Sequence, residues 1–384
     1  MPYNEKVRVD TVFRTPVIRP DASEIIAHTN LGATLSSEVE LFFKLAKGNT
    51  YGITGSDGKT TTSTLCYELL KRTNGKDFVF LGGNIGVPLI SFIPDLTEKT
   101  FSVCELSSFQ LMTLSDAPQN SVITSLTENH LDHHASISEY YASKCKIFGK
   151  GCSKLVADRF VTREISDRIQ GFKGQVISPS FDDPEAFLYF DGENVYLNGD
   201  KIFSAKEMRV KGIFNVKNMM SAIALCYPDI SREAITETVA EFKGVEHRNE
   251  YICTKKGVSY YNSSIDSSPA RTLATLSCHE GEDIILLLGG YDKKLSYSEL
   301  AREAFNKVRV FILFGENSSL IETELKKFNA EIRKARDIFD AVWIATECSR
   351  CGSSVLLSPA SASFDMFSDY EERGKVFKNI INSI

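Results

Sequence analysis

The chain has no uninterrupted apolar run near the roughly 20 residues that a membrane-spanning helix needs, and its first residues do not join a basic segment to an apolar one. These absences predict a cytoplasmic protein with no membrane partner. The nine cysteines do not form a disulfide-like arrangement, because their number is odd and they are scattered through apolar stretches. This distribution is typical of reduced cysteines in a protein core. Cys348 and Cys351 form the one close pair, and without a second pair or a histidine beside them they indicate a structural loop rather than a zinc or redox site.

An excess of basic charge is missing as well. The 44 lysine and arginine residues stand against 50 aspartate and glutamate residues, which gives a net charge of −6. That balance argues against a nucleic-acid partner and favours an enzyme of small molecules or a protein binder. A length of 384 residues, with 42% hydrophobic and 24% charged residues, predicts a globular protein of two or three domains.

Residues 51–62 read Tyr-Gly-Ile-Thr-Gly-Ser-Asp-Gly-Lys-Thr-Thr-Thr, which is a short apolar run, a glycine-rich turn and the start of a helical pattern. Glycines in such a turn let backbone N–H groups approach phosphate oxygens at a helix N-terminus. Lys59 would then reach the β- and γ-phosphates of a nucleotide, and Thr60 would ligate Mg²⁺. Ile53 stands where the general phosphate-binding loop has a glycine, so an ordinary glycine-rich turn stays open as the alternative.

Strand and helix patterns alternate from residue 49 to about residue 245, as they do in a doubly wound parallel sheet. The predicted strands are 51–54, 78–81, 101–106, 122–126 and 154–157. The predicted helices are 60–72, 137–148, 160–169, 215–226 and 231–242, with a meander of short strands at 186–203. This alternation predicts an α/β fold with a central sheet of the P-loop ATPase type.

The two flanking regions are also of α/β character. After a hairpin pattern at 251–261, strands are predicted at 284–288, 310–314 and 355–357, and helices near 270–276, 298–307, 319–328, 338–347 and 368–381. The first region holds one predicted strand, 9–13, and two helices, 23–29 and 36–47. We therefore predict an incomplete N-terminal α/β domain over 1–48, a central ATP-binding domain over 49–245 and a C-terminal Rossmann-like domain over 246–384.

Residues that follow the predicted strands are the candidates for chemistry, because ligands of parallel sheets bind at the carboxyl ends of the strands. Glu105 ends one strand and suits Mg²⁺ coordination, with capping of the next helix as the alternative. His130 is the histidine of residues 127–134 that we expect to bind a metal or a phosphate, whereas His133 and His134 are expected to be solvated. Lys144 lies on the following helix among small and apolar neighbours, as either a reactive amine or a snorkelling surface lysine.

The C-terminal region adds further candidates. Arg248, at the start of this region, could bind a nucleotide phosphate, and Lys293 follows a strand and a glycine turn. Residues 357–365 are a strand end with a run of serine hydroxyls. A lysine and clustered hydroxyls fit recognition of an anionic substrate, although helix capping accounts equally for any one serine.

Six ordered motifs resemble those of the Mur ligase family, and within it the branch that joins D-glutamate to UDP-N-acetylmuramoyl-L-alanine. The similarity runs from about residue 9 to the C-terminus, and the motifs lie at 54–61, 83–86, 105–111, 126–132, 289–293 and 357–367, followed by 372–374. The resemblance implies an ATP-dependent carboxylate–amine ligase of peptidoglycan precursor synthesis. In such a reaction the substrate carboxylate takes the γ-phosphate of ATP, and the amine of D-glutamate displaces phosphate from the acyl phosphate. Its expected partners are these small molecules and two Mg²⁺ ions, with no nucleic acid, and the chain is expected to be a monomer.

The resemblance also implies a role for individual residues. The catalytic residues would be Lys59, Glu105, His130 and Lys144. The Mg²⁺ ligands would be Thr60, Glu105, His130 and Lys144, the last as a carbamylated lysine. The ATP-binding residues would be Gly55, Ser56, Asp57, Gly58, Lys59, Thr60, Thr61, Asn215, Asn218, His247 and Arg248. Asn84, Ser107, Gln110 and His130 would contact the muramoyl substrate, and D-glutamate would be bound by Ser267, Lys293, Ser363, Phe364 and Tyr370.

The sequence departs from the family pattern at several places. The opening strand and glycine turn of the uridine-binding domain are absent, and Val17 replaces a glycine of its second half. Asp57 replaces a usual asparagine, while Asn129 and Ser263 each replace a usual aspartate. A non-catalytic or impaired paralogue that acts as a nucleotide-binding module is therefore the alternative. A folylpolyglutamate synthetase would fit the glycine-rich loop but not the C-terminal serine motif.

Overall fold

The structure, a computed structural model, describes residues 8–127 and 134–384. Its first elements are two short parallel strands, β1 (Thr11–Phe13) and β2 (Thr34–Ser36), with helix α1 (Ser23–Asn30) between them and helix α2 (Glu38–Leu45) after them. The two helices were predicted within two residues of these bounds. Strand β2 was missed because three residues are too few to show a period-two pattern.

A six-stranded parallel sheet follows, and its strands are β3 (Asn49–Thr54), β4 (Val79–Gly83), β5 (Phe101–Glu105), β6 (Asn120–Ile123), β7 (Lys154–Ala157) and β8 (Gln175–Ile177). Their order is β4-β5-β3-β6-β7-β8. Strand β3 is buried on both faces, as is typical of a central strand of a parallel sheet. Because β5 and β6 are its neighbours, the residues that follow these three strands meet at one edge of the sheet.

The helices of this region are α3 (Lys59–Asn74), α4 (Ser108–Leu111), α5 (Ile137–Cys145), α6 (Arg159–Glu164), α7 (Ser166–Ile169), α8 (Ile213–Cys226) and α9 (Arg232–Glu241). The single helix predicted at 160–169 is wrong, because Ile165 leaves the helical conformation and separates α6 from α7. The predicted meander is present as three antiparallel strands, β9 (Leu188–Phe190), β10 (Asn194–Leu197) and β11 (Asp200–Ser204).

The C-terminal region forms a second six-stranded sheet. Its strands are β12 (Glu250–Lys255), β13 (Val258–Asn262), β14 (Asp283–Leu288), β15 (Val308–Leu313), β16 (Ile332–Lys334) and β17 (Ser353–Leu357). Its helices are α10 (Pro269–Leu276), α11 (Ser298–Ala304), α12 (Ser318–Lys326), α13 (Ile338–Cys348) and α14 (Tyr370–Ser383). The strand order is β12-β13-β17-β14-β15-β16, with β12 and β13 as an antiparallel hairpin and the other pairs parallel. One apolar core covers each face of the sheet.

These elements make an α/β fold with two parallel sheets, as the sequence predicted. They separate into two units, of which the first contains the described residues up to Met208 together with Ile213–Glu241, and the second contains Arg209–Gly212 and Phe242–Ile384. A separate N-terminal domain over 1–48 stays a prediction. Short 3₁₀ helices lie at Lys76–Phe78, Leu89–Asp95, Lys146–Phe148, Ala205–Glu207 and Ser277–His279. Among residues 8–127 and 134–384, no helix combines the length and the apolar character that crossing a membrane requires.

Candidate active site

The turn between β3 and α3 is built so that only glycine fits at two of its positions. Gly55 has a φ of +156° and Gly58 a φ of +80°. A Cβ on Gly58 would lie 2.5 Å from Asn218 Oδ1, and one on Gly55 would lie 2.0 Å from the hydroxyl oxygen of Thr124. Ile53 is buried inside β3, so the loop begins after the strand and does not need a glycine at that position. The turn thus presents its backbone at the N-terminus of a 16-residue helix, which favours an anion.

Lys59 begins α3 and lies over this turn. Its Nζ donates to the carbonyl oxygens of Gly55 and Ser56, each at 2.9 Å. The ammonium group is therefore held at the loop, next to the positive end of the helix. Thr60 and Thr61 follow in the first helical turn, Thr60 half-buried and Thr61 buried. The described loop and its lysine together form a cradle that fits the phosphates of a nucleotide.

Glu105 is a buried carboxylate at the end of β5, with 1% of its surface exposed. Its Oε1 accepts a hydrogen bond from Asn84 Nδ2 at 2.9 Å, and its Oε2 accepts one from Ser63 Oγ, on the first turns of α3, at 3.3 Å. The next helix, α4, is capped by Ser107, so the helix-capping alternative for Glu105 is wrong. A carboxylate anchored beside the cradle is the donor that Mg²⁺ prefers, and the residues present therefore fit this cation.

Lys144 is buried, with 1% of its surface exposed, which excludes the snorkelling alternative. Its Nζ donates to the carbonyl oxygen of Gly55 at 2.7 Å and lies 4.6 Å from the centre of the Tyr140 ring. Burial, and then the nearby charge of Lys59, lowers the pKa of Lys144 to about 6. At neutral pH this side chain is therefore mostly an uncharged amine, which is the nucleophilic form.

Tyr140 belongs to the same arrangement, although the sequence did not single it out. It lies one helical turn before Lys144 on α5, which places both side chains on one face. Its hydroxyl is 3.1 Å from Ser56 Oγ, and Ser56 Oγ donates to the carbonyl oxygen of Thr127 at 2.8 Å. Tyr140 thus connects the helix of Lys144 to the glycine-rich loop. The four-residue spacing on a helix is the signal that could have found it.

Of the three histidines in residues 127–134, the structure describes only His134. The prediction that His134 is solvated is wrong, because 3% of its surface is exposed and its Nε2 lies 2.9 Å from Ser108 Oγ. Its ring also stacks on Phe109 with 5.5 Å between centres, so packing of α5 against α4 buries it. His130, His133 and Asn129 lie outside the described residues, so the roles predicted for them stay predictions.

Two of the other predicted residues of the first unit, Asn218 and Asn84, lie at the loop or beside Glu105. Asn218 Oδ1 accepts a hydrogen bond from Thr62 Oγ1 at 3.4 Å, and Asn215 is buried one turn earlier on α8. Asn84 is bonded to Glu105, as described above. Ser107 and Gln110 bond mainly to one another in a capping box of α4, with Ser107 N donating to Gln110 Oε1 at 2.9 Å. Asp57 is exposed at the tip of the loop.

The remaining candidates lie in the second unit, at or after the carboxyl ends of its strands. Lys293 follows β14, and its Nζ lies 5.9 Å from the centre of the exposed Phe364 ring. Ser363, beside Phe364, is buried, while Ser267 is half-buried after β13. Tyr370 begins α14 and is partly exposed. Lys293 and Phe364 thus place a cation beside an aromatic ring, a combination that suits a small organic anion.

His247 and Arg248 precede β12 in this unit. His247 is buried with a φ of +63°, and its Nδ1 accepts a hydrogen bond from Asn262 Nδ2 at 2.9 Å. Glu246, His247 and Glu250 could together approach a metal ion. Lys378 Nζ, however, bonds to Glu246 at 2.9 Å and to Glu250 at 2.6 Å, so one lysine already pairs with both carboxylates.

Comparisons with known proteins agree with this geometry. Residues 53–226 match the family described as the Mur ligase middle domain. The chain is 38% identical over 392 residues to the UDP-N-acetylmuramoylalanine–D-glutamate ligase of Clostridium kluyveri, covering 99% of this chain and 84% of that protein. It is 39% identical over 388 residues to the ligase of the same name from Clostridium acetobutylicum, covering 98% and 83%.

Solved structures share the fold at low identity. The UDP-N-acetylmuramate–alanine ligase of Thermotoga maritima superposes with a TM-score of 0.62 at 18% identity, covering 97% of this chain and 85% of that one. The folylpolyglutamate synthase of the same organism gives a TM-score of 0.65 at 13% identity, covering 90% and 93%. These likenesses concern the fold alone, whereas the clostridial proteins match nearly the whole chain at much higher identity. The chain accordingly belongs to the Mur ligase family, in the branch of the UDP-N-acetylmuramoylalanine–D-glutamate ligases.

Proposed function

We propose that the chain is an ATP-dependent ligase that joins D-glutamate to the L-alanyl carboxylate of UDP-N-acetylmuramoyl-L-alanine, a step of peptidoglycan precursor synthesis. The observation that carries the proposal is the grouping of Lys59 and Lys144 on the carbonyl oxygen of Gly55. A phosphate cradle with two amines directed at one loop atom is more than a bare nucleotide-binding module requires. Family membership supports the same reaction.

The reaction proceeds in two displacements. A carboxylate oxygen of the alanyl group attacks the γ-phosphorus of ATP, the bond to ADP breaks, and an acyl phosphate forms. The amine of D-glutamate then attacks the acyl carbon, phosphate leaves, and the amine loses a proton to give the amide. The backbone of the glycine-rich loop and Lys59 bind the phosphate oxygens and offset their charge during the first displacement.

The chain would hold two Mg²⁺ ions through Thr60, Glu105, His130 and Lys144. Bound Mg²⁺ offsets the charge of the phosphate and of the attacking carboxylate, which lets two anions approach each other. Glu105 is suited to this role because Asn84 and Ser63 fix both of its oxygens. As an amine, Lys144 is no ligand for a hard cation, and this favours its modification.

The surroundings of Lys144 support the proposal that it is carbamylated. The uncharged Nζ attacks the carbon of CO₂, a C–N bond forms as one C–O π bond breaks, and the nitrogen releases one proton, so a neutral amine becomes an anionic carbamate. The low pKa of the Lys144 amine makes this step possible at neutral pH, because a protonated amine has no free electron pair. The carbamate oxygens would then supply ligands of the type that Mg²⁺ prefers.

The other residues would bind the organic substrates. Asn84, Ser107, Gln110 and His130 would contact the muramoyl substrate, and the adenine, ribose and phosphates of ATP would be bound by Asn215, Asn218, His247 and Arg248 together with the loop. Ser267, Lys293, Ser363, Phe364 and Tyr370 would bind D-glutamate, whose two carboxylates match a lysine and hydroxyls. We propose that the chain acts as a monomer on these small molecules in the cytoplasm.

Product formation tests the proposal. The chain is incubated with ATP, Mg²⁺ and UDP-N-acetylmuramoyl-L-alanine, with either D- or L-glutamate, and the nucleotide sugar is analysed by mass spectrometry. We expect the mass of one added glutamyl residue with D-glutamate only, and no addition by the Lys59→Ala variant. The matched control, Lys71→Ala on the far end of the same helix, should retain the activity. Binding of ATP without any product would contradict the ligase and favour the nucleotide-binding paralogue.

A further inference from the structure

Asp266, in the turn after β13, is a buried carboxylate that none of the roles above uses. Only 5% of its surface is exposed. Its Oδ2 accepts hydrogen bonds from Thr275 Oγ1 at 2.6 Å and from Ser358 Oγ at 2.7 Å. Both of these donors are neutral hydroxyls. Burying a carboxylate costs free energy, and the hydrogen bonds from the two hydroxyls offset part of that cost.

The hydroxyls around Asp266 form a chain of hydrogen bonds with one direction. The Thr275 hydroxyl donates to the carboxylate, so its oxygen is left to accept from the Ser263 hydroxyl, 3.3 Å away. Ser263 Oγ in turn accepts from the backbone N–H of Asn249 at 3.0 Å. Each donor therefore points toward Asp266, and bonds aligned in this way strengthen one another. The carboxylate thus reaches the backbone of Asn249 through two hydroxyls.

Asn249 and His247 are the two neighbours of Arg248, and the same turn fixes both of them. Their φ angles are +44° and +63°, a region that is unfavourable for residues other than glycine. The carbonyl oxygen of His247 accepts from the backbone N–H of Ile265 at 3.1 Å. Hydrogen bonds with the turn after β13 therefore hold the backbone on each side of Arg248 in this left-handed conformation.

We propose that Asp266 is a positioning residue for Arg248, acting through Thr275, Ser263 and Asn249, and so sets where the guanidinium group meets the phosphates of the nucleotide. The inference rests on the proposed function, which assigns Arg248 to ATP. Asp266 itself does not touch the substrate in this account. Burial has the largest effect and raises the pKa of Asp266, and the hydroxyls of Thr275, Ser263 and Ser358 and the charge of Arg248 offset part of that rise.

A double-mutant cycle on the full-length chain tests this link. The dissociation constant of ATP is measured by calorimetry for the unaltered protein, Asp266→Ala, Arg248→Ala and the double variant, with ATP in the presence of Mg²⁺ as the ligand. We expect Asp266→Ala to weaken binding by roughly three- to tenfold, as coupled neighbours do. In the Arg248→Ala background the same change should have no further effect, because the residue acts through Arg248. Asp266→Asn, which keeps an acceptor oxygen, should retain most of the affinity.

Asp283→Asn is the control for lost stability alone. This carboxylate lies at the opposite end of the same sheet, where it bonds to Arg309 Nε at 2.7 Å and Ser353 Oγ at 2.6 Å. Its loss should lower the melting temperature without changing the dissociation constant of ATP. Two results would overturn the inference. One is that Asp266→Ala weakens ATP binding equally with and without Arg248, and the other is that Asp266→Ala binds ATP as tightly as the unaltered protein does. If the unaltered protein does not bind ATP, the proposed function fails as well. Failure of the inference alone therefore differs from failure of the proposed function, because only in the first case does the unaltered protein bind ATP.

Discussion

The Nζ atom of Lys144 donates a hydrogen bond to the carbonyl oxygen of Gly55 at 2.7 Å. This bond connects helix α5 to the first residue of the glycine-rich loop, 89 positions earlier in the chain. The same oxygen accepts from Lys59 at 2.9 Å, so two amines share one acceptor. Two cations could not easily share such a buried position, and the low pKa of Lys144 relieves their repulsion.

The first prediction concerns Lys144. Lys144→Ala removes the amine that we expect to be carbamylated and should lower the ligation rate by roughly 100- to 1,000-fold, the usual cost of losing a group that stabilises a charged transition state. Lys146→Ala changes an exposed lysine two positions later and should leave the rate unchanged. Carbon NMR with ¹³C-bicarbonate should show a carbamate signal in the unaltered protein and in the control, but none in Lys144→Ala. A carbamate signal of equal size in Lys144→Ala would assign the modification elsewhere.

The second prediction concerns the space at Gly58. Gly58→Ala would place a Cβ 2.5 Å from Asn218 Oδ1, so the loop has to shift and ATP should bind at least tenfold more weakly. Gly199→Ala is a matched control, because Gly199 has nearly the same φ, +83° against +80°, and nothing lies within 4 Å of its added Cβ. Both variants should lose about 1 kcal/mol of stability from backbone strain. Only a specific loss of ATP affinity in Gly58→Ala agrees with the cradle; equal affinities in the two variants would contradict it.

The third prediction concerns the carboxylate of Glu105. Glu105→Gln preserves the shape of the side chain but removes its charge, so the Mg²⁺ concentration needed for half-maximal phosphate release should rise by about tenfold or more. Glu98→Gln changes an exposed glutamate and serves as the control. The measurement is the rate of phosphate release over a Mg²⁺ titration. An unchanged Mg²⁺ requirement in Glu105→Gln would exclude this carboxylate as a ligand.

The fourth prediction concerns pH and the second unit. Burial opposes ionisation of Glu282, but hydrogen bonds from His279, Lys211 and Ser354 outweigh it and lower its pKa to about 2. Because the folded state has the lower pKa, the unfolded state binds the extra proton, and this stabilisation is present above about pH 4.5 and is lost as the pH falls toward 2. The loss is on the order of 3 kcal/mol at most.

Thermal unfolding between pH 7 and pH 2.5 measures this effect. The melting temperature of the second unit should fall more steeply below pH 4.5 in the unaltered protein than in Glu282→Gln, which has no carboxylate to protonate. Parallel curves for the two proteins would show that Glu282 does not carry the acid sensitivity.

Much of the site could be predicted from the sequence because a parallel sheet collects the residues after its strands at one edge. Glu105 and the loop of Lys59 are 46 residues apart in the sequence, yet both follow strands that pair in the sheet. The glycines of the loop were recognisable because a phosphate-binding turn needs them. The burial of Lys144, by contrast, was open until the packing of α5 was known.

Other features depend on long-range packing that has no local pattern. His134 is polar and stands in a polar stretch, so its burial against Ser108 and Phe109 could not be predicted from its neighbours in sequence. The capping box of Ser107 and Gln110, by contrast, has a local signature, a serine followed three residues later by a glutamine. The relay from Asp266 to Asn249 joins residues of three separate segments and becomes visible only in the folded chain.

Phosphate release from ATP tests the central claim most directly. The chain is supplied with ATP, Mg²⁺ and UDP-N-acetylmuramoyl-L-alanine, and phosphate is followed with and without D-glutamate. The account predicts steady release that requires both the muramoyl substrate and D-glutamate, since the acyl phosphate is discharged by the amine. Absence of release while ATP still binds, or release that is indifferent to both substrates, would contradict the assignment of this chain as a D-glutamate ligase.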